Sequence, residues 1–103
     1  PFVHMMFIAA AHAHFFAGRL GESAQCAEKA LRVQSDARPG LRIAAASLAL
    51  AGHDAEARKM LARYLPLDPG RRVSNLRDAL GAYRHQEHVA QYEDALRLAG
   101  LPD

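Results

Sequence analysis

Two stretches of this chain repeat one another at a distance of 34 residues. "AGRLGESAQCA" runs from 17 to 27 and "AGHDAEARKML" from 51 to 61, so Gly18 falls on Gly52 and Glu22 on Glu56. The overlay extends both ways. Before the glycine, Phe7 falls on Leu41, Ala10 on Ala44, Ala11 on Ala45 and His14 on Leu48. After it, Ser23 falls on Ala57, Ala27 on Leu61, Leu31 on Leu65 and Ser35 on Pro69. A unit this short cannot bury its own apolar face. Copies of it reach stability by stacking, so the period itself restricts the chain to a few architectures.

The units are helical. Half the residues are hydrophobic and alanine is abundant, with no tryptophan and few β-branched residues; that mixture favours helix over strand. Gly and Pro divide the chain into six helical stretches, at about 2–17, 21–34, 39–51, 54–65, 73–83 and 86–99. Pro39 suits the first turn of the third, where its missing N–H costs nothing. Asp54 is placed to cap the fourth and Ser74 the fifth. In the sixth, Val89, Tyr92, Leu96 and Ala99 share one face, with His88, Gln91, Asp94 and Arg97 on the other. This closing helix reads as an end-cap. No segment shows strand alternation, so the fold class is all-α.

A helix–turn–helix period of 34 residues resembles that of the tetratricopeptide repeat (TPR) family. The resemblance covers about the whole chain. It is good over residues 4–71, and the first two repeats fall at about 4–37 and 38–71. It is degenerate over 72–103, where Tyr92 to Leu96 takes the place of a second helix. There Tyr64-Leu65 and Ala95-Leu96 are 31 apart instead of 34. What the resemblance implies is a right-handed α-α superhelix of about three antiparallel helix pairs. A narrower likeness lies in "AHAHFFAGR", "ASLALAGHDAEAR" and "YEDALRLAGLPD". These are similar to the TPR tails of large bacterial signalling proteins, in which a class III adenylate/guanylate cyclase or a winged-helix domain lies upstream. The start at Pro1 fits a fragment or processed product, and the ending places Asp103 at or near a natural C-terminus.

Chemistry is not expected of this chain. His12 and His14 are two apart and point to different faces of a helix. His85 and His88 have a spacing that could hold one metal ion, but a third ligand is missing. Cys26 has neither a base nor an activating neighbour in view, and a lone cysteine fits a reducing compartment. Ser23 and Ser47 read as small packing residues. "GRLGES" lacks the lysine and the preceding strand of a phosphate-binding loop. The chain is therefore read as non-enzymatic, with no cofactor, no metal and a cytoplasmic setting.

Charge excludes further classes. Thirteen basic and eleven acidic residues give a net charge of +2, too balanced for a nucleic-acid partner. The densest basic stretch is Arg71, Arg72, Arg77 and Arg84, with Asp68 and Asp78 to offset it and no aromatic residues interleaved. Residues 1–18 contain no Asp, Glu, Lys or Arg. A membrane span needs about 20 apolar residues, and this shorter stretch holds His4, His12 and His14. It reads as a helix buried on most sides, with its covering partner upstream of Pro1.

What remains is surface shape, and the expected role is a protein–protein interaction module of a bacterial signalling or regulatory protein. By resemblance to the family, the first helix of each pair lines a concave groove. Its residues are Ile8, His12, Phe15 and Phe16 in the first pair, then Arg42, Ala46, Ala49 and Leu50 in the second. Phe15 and Phe16 could instead only seal the core between repeats. The Lys and Asn with which some family members clamp a peptide carboxylate are replaced here by Ile8, His12, Arg42 and Ala46. A mostly apolar groove with one Arg suggests a helix or an apolar peptide as ligand. The alternative is a homodimer, paired through Phe2, Val3, Met6 and Phe7, with Met5 and Ile8, on the uncharged first helix.

Overall fold

The computed structural model describes residues 3–80 and 86–103. Among them there are six α-helices, two short 3-10 turns and no strand, as the all-α expectation requires. The helices are α1 (Val3–Phe16), α2 (Leu20–Val33), α3 (Arg38–Leu50), α4 (Asp54–Tyr64), α5 (Leu76–Leu80) and α6 (Gln86–Ala99).

Three of them end in the same way. Gly18, Gly52 and Gly100 have φ of 82°, 86° and 110°, the left-handed region that a β-carbon disfavours. The amide after each glycine donates five residues back: Arg19 to the His14 carbonyl at 2.9 Å, His53 to Leu48 at 2.8 Å and Leu101 to Leu96 at 3.0 Å. The glycine amide itself donates to the carbonyl three residues back, at 3.1 Å in all three cases. This pair of bonds satisfies carbonyls that a helix end otherwise leaves open. The turn after α1 and the turn after α3 are therefore one structure, met twice at the 34-residue spacing.

Helix starts depart from expectation in two places. Asp54 is the first residue of α4, preceded by His53 as the cap, and no side-chain capping bond is present. Asp54 and Glu56 act instead as negative charges on the first turn, where the helix dipole favours them. Ser74 does not cap a fifth helix either; it lies inside a 3-10 turn, Val73–Asn75. Asn75 holds that turn, accepting from the Arg72 amide at 2.9 Å and donating to the Gly70 carbonyl at 3.0 Å. Among the described residues α5 therefore starts at Leu76 and is followed to Leu80. The far end of the expected fifth helix, with Tyr83 and Arg84, lies outside the described residues.

α3 is the axis of the core, with ten of its thirteen residues buried. At 100° per residue its surface divides into three faces. Gly40, Ala44 and Ser47 face α2: a β-carbon on Gly40 would lie 3.3 Å from Leu31 Cδ2, and the Ser47 and Ser23 hydroxyls are 2.7 Å apart. Leu41, Ala45 and Leu48 share a second buried face. Arg42, Ala46 and Ala49 share the remaining face, where α6 packs. Among the described residues the chain measures 31 × 29 × 27 Å. α6 packs on α3 and, less extensively, on α4.

Candidate interaction surfaces

The expected groove is occupied. Arg42 is 6% exposed, Ala46 0% and Ala49 5%, Phe15 is fully buried, and His12, Phe16 and Leu50 are half-buried. Their cover is α6, whose Val89, Tyr92, Ala95, Leu96 and Ala99 are buried in turn. Tyr92 is the central contact. Its ring meets His12 edge-on at 5.6 Å and Phe15 at 5.8 Å. His88, expected on the solvated face, stacks on Phe16 at 4.5 Å and 13°. The surface expected to be a groove is thus covered by the chain's own α6.

Burial here shapes the ionisation of His12. Removal from water pushes its pKa below the ordinary 6.5, the bond to the Ile8 carbonyl works the other way, and the charge of Arg42 lowers it further. Nδ1 of His12 lies 3.0 Å from that carbonyl. Arg42, expected as a groove cation, is a buried one. Its Nη1 donates to the Tyr64 hydroxyl at 3.3 Å, and Tyr64 donates to Asp68 Oδ2 at 2.8 Å. Arg71 closes the chain on the same Asp68 oxygen at 2.9 Å. Bonds from Arg71 and Tyr64 hold the Asp68 carboxyl below its usual range, and burial raises the Tyr64 phenol. The basic stretch is thereby partly spent: Arg71 goes to Asp68, and Arg77 pairs with Glu93 at 3.2 Å.

The open surface lies on α1. Met6 is 71% exposed, Met5 55% and Val3 47%, and Ala9 and Ala13 are exposed beside them. A cavity of about 390 Å³ opens next to this face. Its apolar wall is Met5, Ile8, Ala9, Ala37 and Pro39, and His4 and Gln34 are its polar members. Two of the residues read as a pairing surface turn inward: Phe7 is half-buried with Lys29 Nζ 6.0 Å from its ring centre, and Ile8 packs against Gly40. Val3 and Met6 remain on the surface, and Phe2 lies outside the described residues.

The reactive candidates are placed as follows. Ser23 and Ser47 are fully buried. Ser23 Oγ also reaches the Ala11 carbonyl, and Ser47 Oγ the Ile43 carbonyl, each at 2.7 Å. Two protons serve three short contacts, so one hydroxyl donates to the other and the second donates to a carbonyl. Cys26 is a half-buried thiol. His85 lies outside the described residues, and among the described residues no group of three His, Cys, Asp or Glu side chains is placed to hold a metal. Likewise, among them no helix is long and apolar enough to cross a membrane.

Sequence reasoning missed the seat of α6, and with it the roles of Tyr92, His88 and Tyr64. A signal was present. Ala17-Gly18, Ala51-Gly52 and Ala99-Gly100 are the same dipeptide at three helix ends, so the last helix ends as α1 and α3 do and not as α2 or α4. Comparisons with protein-family models, curated proteins and solved structures return no match.

Proposed function

We propose that this chain is a non-catalytic protein–protein interaction module of a bacterial signalling or regulatory protein, built on TPR-like helix pairs. The 34-residue register and the matched glycine turns support the family reading. One observation carries the interaction reading: an uncharged helix face with Met6, Met5 and Val3 largely in water, beside an apolar cavity. A soluble domain rarely leaves such a patch without a use. The contact surface is α1 and not the groove, because α6 fills the groove. The two serine hydroxyls are enclosed in the core, out of reach of a substrate.

The test is a pull-down with the intact chain and with Met6→Glu. Partners captured by the parent and lost by the variant support the proposal, and a captured set indifferent to Met6→Glu removes it. A second reading, pairing of two copies, is favoured by the lack of charge along α1, since such a face can oppose itself without repulsion. Light scattering decides it: a dimer dissolved by Met6→Glu is the expected sign, and a strict monomer at high concentration excludes it. Phe7→Glu and Ile8→Glu are poorer probes, since both side chains also pack inward.

A further inference from the structure

The two ends of α6 are held by different means. The closing end is anchored. Leu96, Ala99 and Leu101 are buried, a β-carbon on Gly100 would lie 3.5 Å from Leu61 Cδ2 of α4, and the Val73 amide donates to the Pro102 carbonyl at 2.8 Å. The opening end rests on α1 through rings. His88 stacks on Phe16 at 4.5 Å, and Tyr92 meets His12 at 5.6 Å and Phe15 at 5.8 Å. The α6 backbone runs beside α3 and α4 and less closely beside α1, so this seam is one of side chains. His12 is the titratable group inside it. From α3 the charge facing it is Arg42, and from α6 it is the Tyr92 phenol; His88 is one ring away, across Phe16. Among the described residues no carboxylate pairs with Arg42 or His12. Arg42 donates to Tyr64, and the Asp68 carboxylate is taken by Tyr64 and Arg71. A neutral imidazole fits this place, with Nδ1 3.0 Å from the Ile8 carbonyl. A protonated one sets a second positive charge near Arg42 with no anion to answer it, and that charge regains water if the seam parts.

We infer that α6 is an acid-released strap: protonation of His12 frees the first half of α6, with His88 and Tyr92, from α1, while its end stays docked on α4 and on the turn Val73–Asn75. The seam is the cheaper place to open. Parting it exposes Val89 and Tyr92 and separates rings, whereas lifting the other end would expose Leu96, Ala99 and Leu101 and break the bond from Val73. Burial holds His12 below its ordinary 6.5 in the closed form, so the open form takes the proton more readily. The strap is therefore shut above pH 6.5 and loosens as the pH falls through the window below it. Opening bares Phe16, which lies on the same side of α1 as the exposed Met5 and Ala9 at 100° per residue. Acid thus extends the apolar surface of α1. The device stands on the α1–α6 seam alone and holds whether or not α1 binds a partner.

The test is hydrogen exchange of the full chain at pH 7.5 and pH 5.5, read by mass spectrometry as protection factors corrected for the intrinsic effect of pH on exchange. Amides of residues 88–93 are expected to lose protection several-fold at the lower pH, and by no more than about tenfold per pH unit, the ceiling for one linked proton. Amides of residues 42–49, in α3, should keep theirs. His12→Gln and His12→Leu, two replacements of different polarity, should each abolish the loss, and His88→Asn should retain it. Unchanged protection of 88–93 in the parent chain overturns the inference. So does a loss shared equally by α3, which would mean that acid unfolds the whole domain and releases no strap. A loss that persists in both His12 variants, or that only His88→Asn abolishes, takes the proton away from His12 and overturns it as well.

Discussion

α1 and α3 hold the same place in their helix pairs and end on the same glycine turn, yet ten residues of α3 are buried and only Ala11 and Phe15 of α1 are. The difference lies in neighbours. α3 has α2, α4 and α6 on its three faces, while α1 has α2 on one and the α3–α6 side on another. Their sequences reflect this: Met5 and Met6 on α1 stand where α3 has Pro39 and Gly40. Gly40 lets Leu31 approach closely, and Met6 projects into solvent. Burial along each helix is thus set by what packs on it.

The largest contrast should come from equivalent apolar residues. Leu41 is fully buried, so Leu41→Ala is expected to cost about 2–5 kcal/mol in urea unfolding, from lost transfer energy and a residual cavity. Phe7, its equivalent, is only half-buried, and Phe7→Ala should cost clearly less despite removing a larger side chain. Equal costs would mean that α1 is as enclosed as α3, and the comparison would break.

The two turns should behave alike where the two helices do not. Gly18 and Gly52 both have positive φ, and a β-carbon at either would meet nothing within 4 Å. The penalty for alanine is therefore one of backbone conformation alone, about 1–2 kcal/mol at each site by thermal or urea unfolding. A difference between the two variants larger than that penalty would show that the turns are not interchangeable.

Much of this architecture was legible in the sequence because turns and periodicity are local. The glycine positions, the 34-residue register and five of the six helices follow from residues close in the chain. The seat of α6 was not legible. Its apolar face, Val89, Tyr92, Leu96 and Ala99, was plain, but which surface would receive it depends on contacts between distant segments. The groove residues illustrate the cost. Ile8, His12 and Arg42 are expected to line a groove, yet a residue lines a groove only if nothing fills it. Tyr92 fills it here. Asp54 and Ser74 failed for a smaller reason, since capping geometry turns on the backbone angles of one residue.

A polar pair in the core sharpens the comparison further. Ser47 and Ser23 share one hydrogen bond between α3 and α2, and the equivalent of Ser47 on α1 is Ala13, which has no such partner. Ser47→Ala leaves Ser23 its bond to the Ala11 carbonyl, so the expected loss is about 1 kcal/mol, the net worth of one buried bond. A loss of several kcal/mol would mean that the pair holds the two helices in register and does more than fill space.

His12 gives a smaller, pH-dependent effect. Burial first, and Arg42 after it, lower its pKa below 6.5 in the folded chain, so the unfolded chain binds the proton more readily. The stability that this neutral imidazole allows is complete above pH 6.5 and declines as the pH falls through the window below it. The groups facing it are Arg42 from α3 and Tyr92 from α6. In denaturation series between pH 8 and pH 5, His12→Leu should flatten part of the acid-side decline. An unchanged profile would place the titration on other histidines.

The smallest effect on stability belongs to the residue with the largest effect proposed for binding. Met6 is 71% exposed, so Met6→Glu removes little packing and places its charge in water; surface changes of this kind shift stability by about 0.5 kcal/mol or less. Its equivalent, Gly40, lies under Leu31, and Gly40→Glu should destabilise the chain severely. The pair of variants separates the two uses of one register position. Unfolding midpoints that differ widely, with capture of a partner lost in the nearly unperturbed Met6→Glu chain, would show that the face built into the core of the second pair is left open for binding in the first. A Met6→Glu chain as unstable as Gly40→Glu would instead mean that Met6 is already covered in solution.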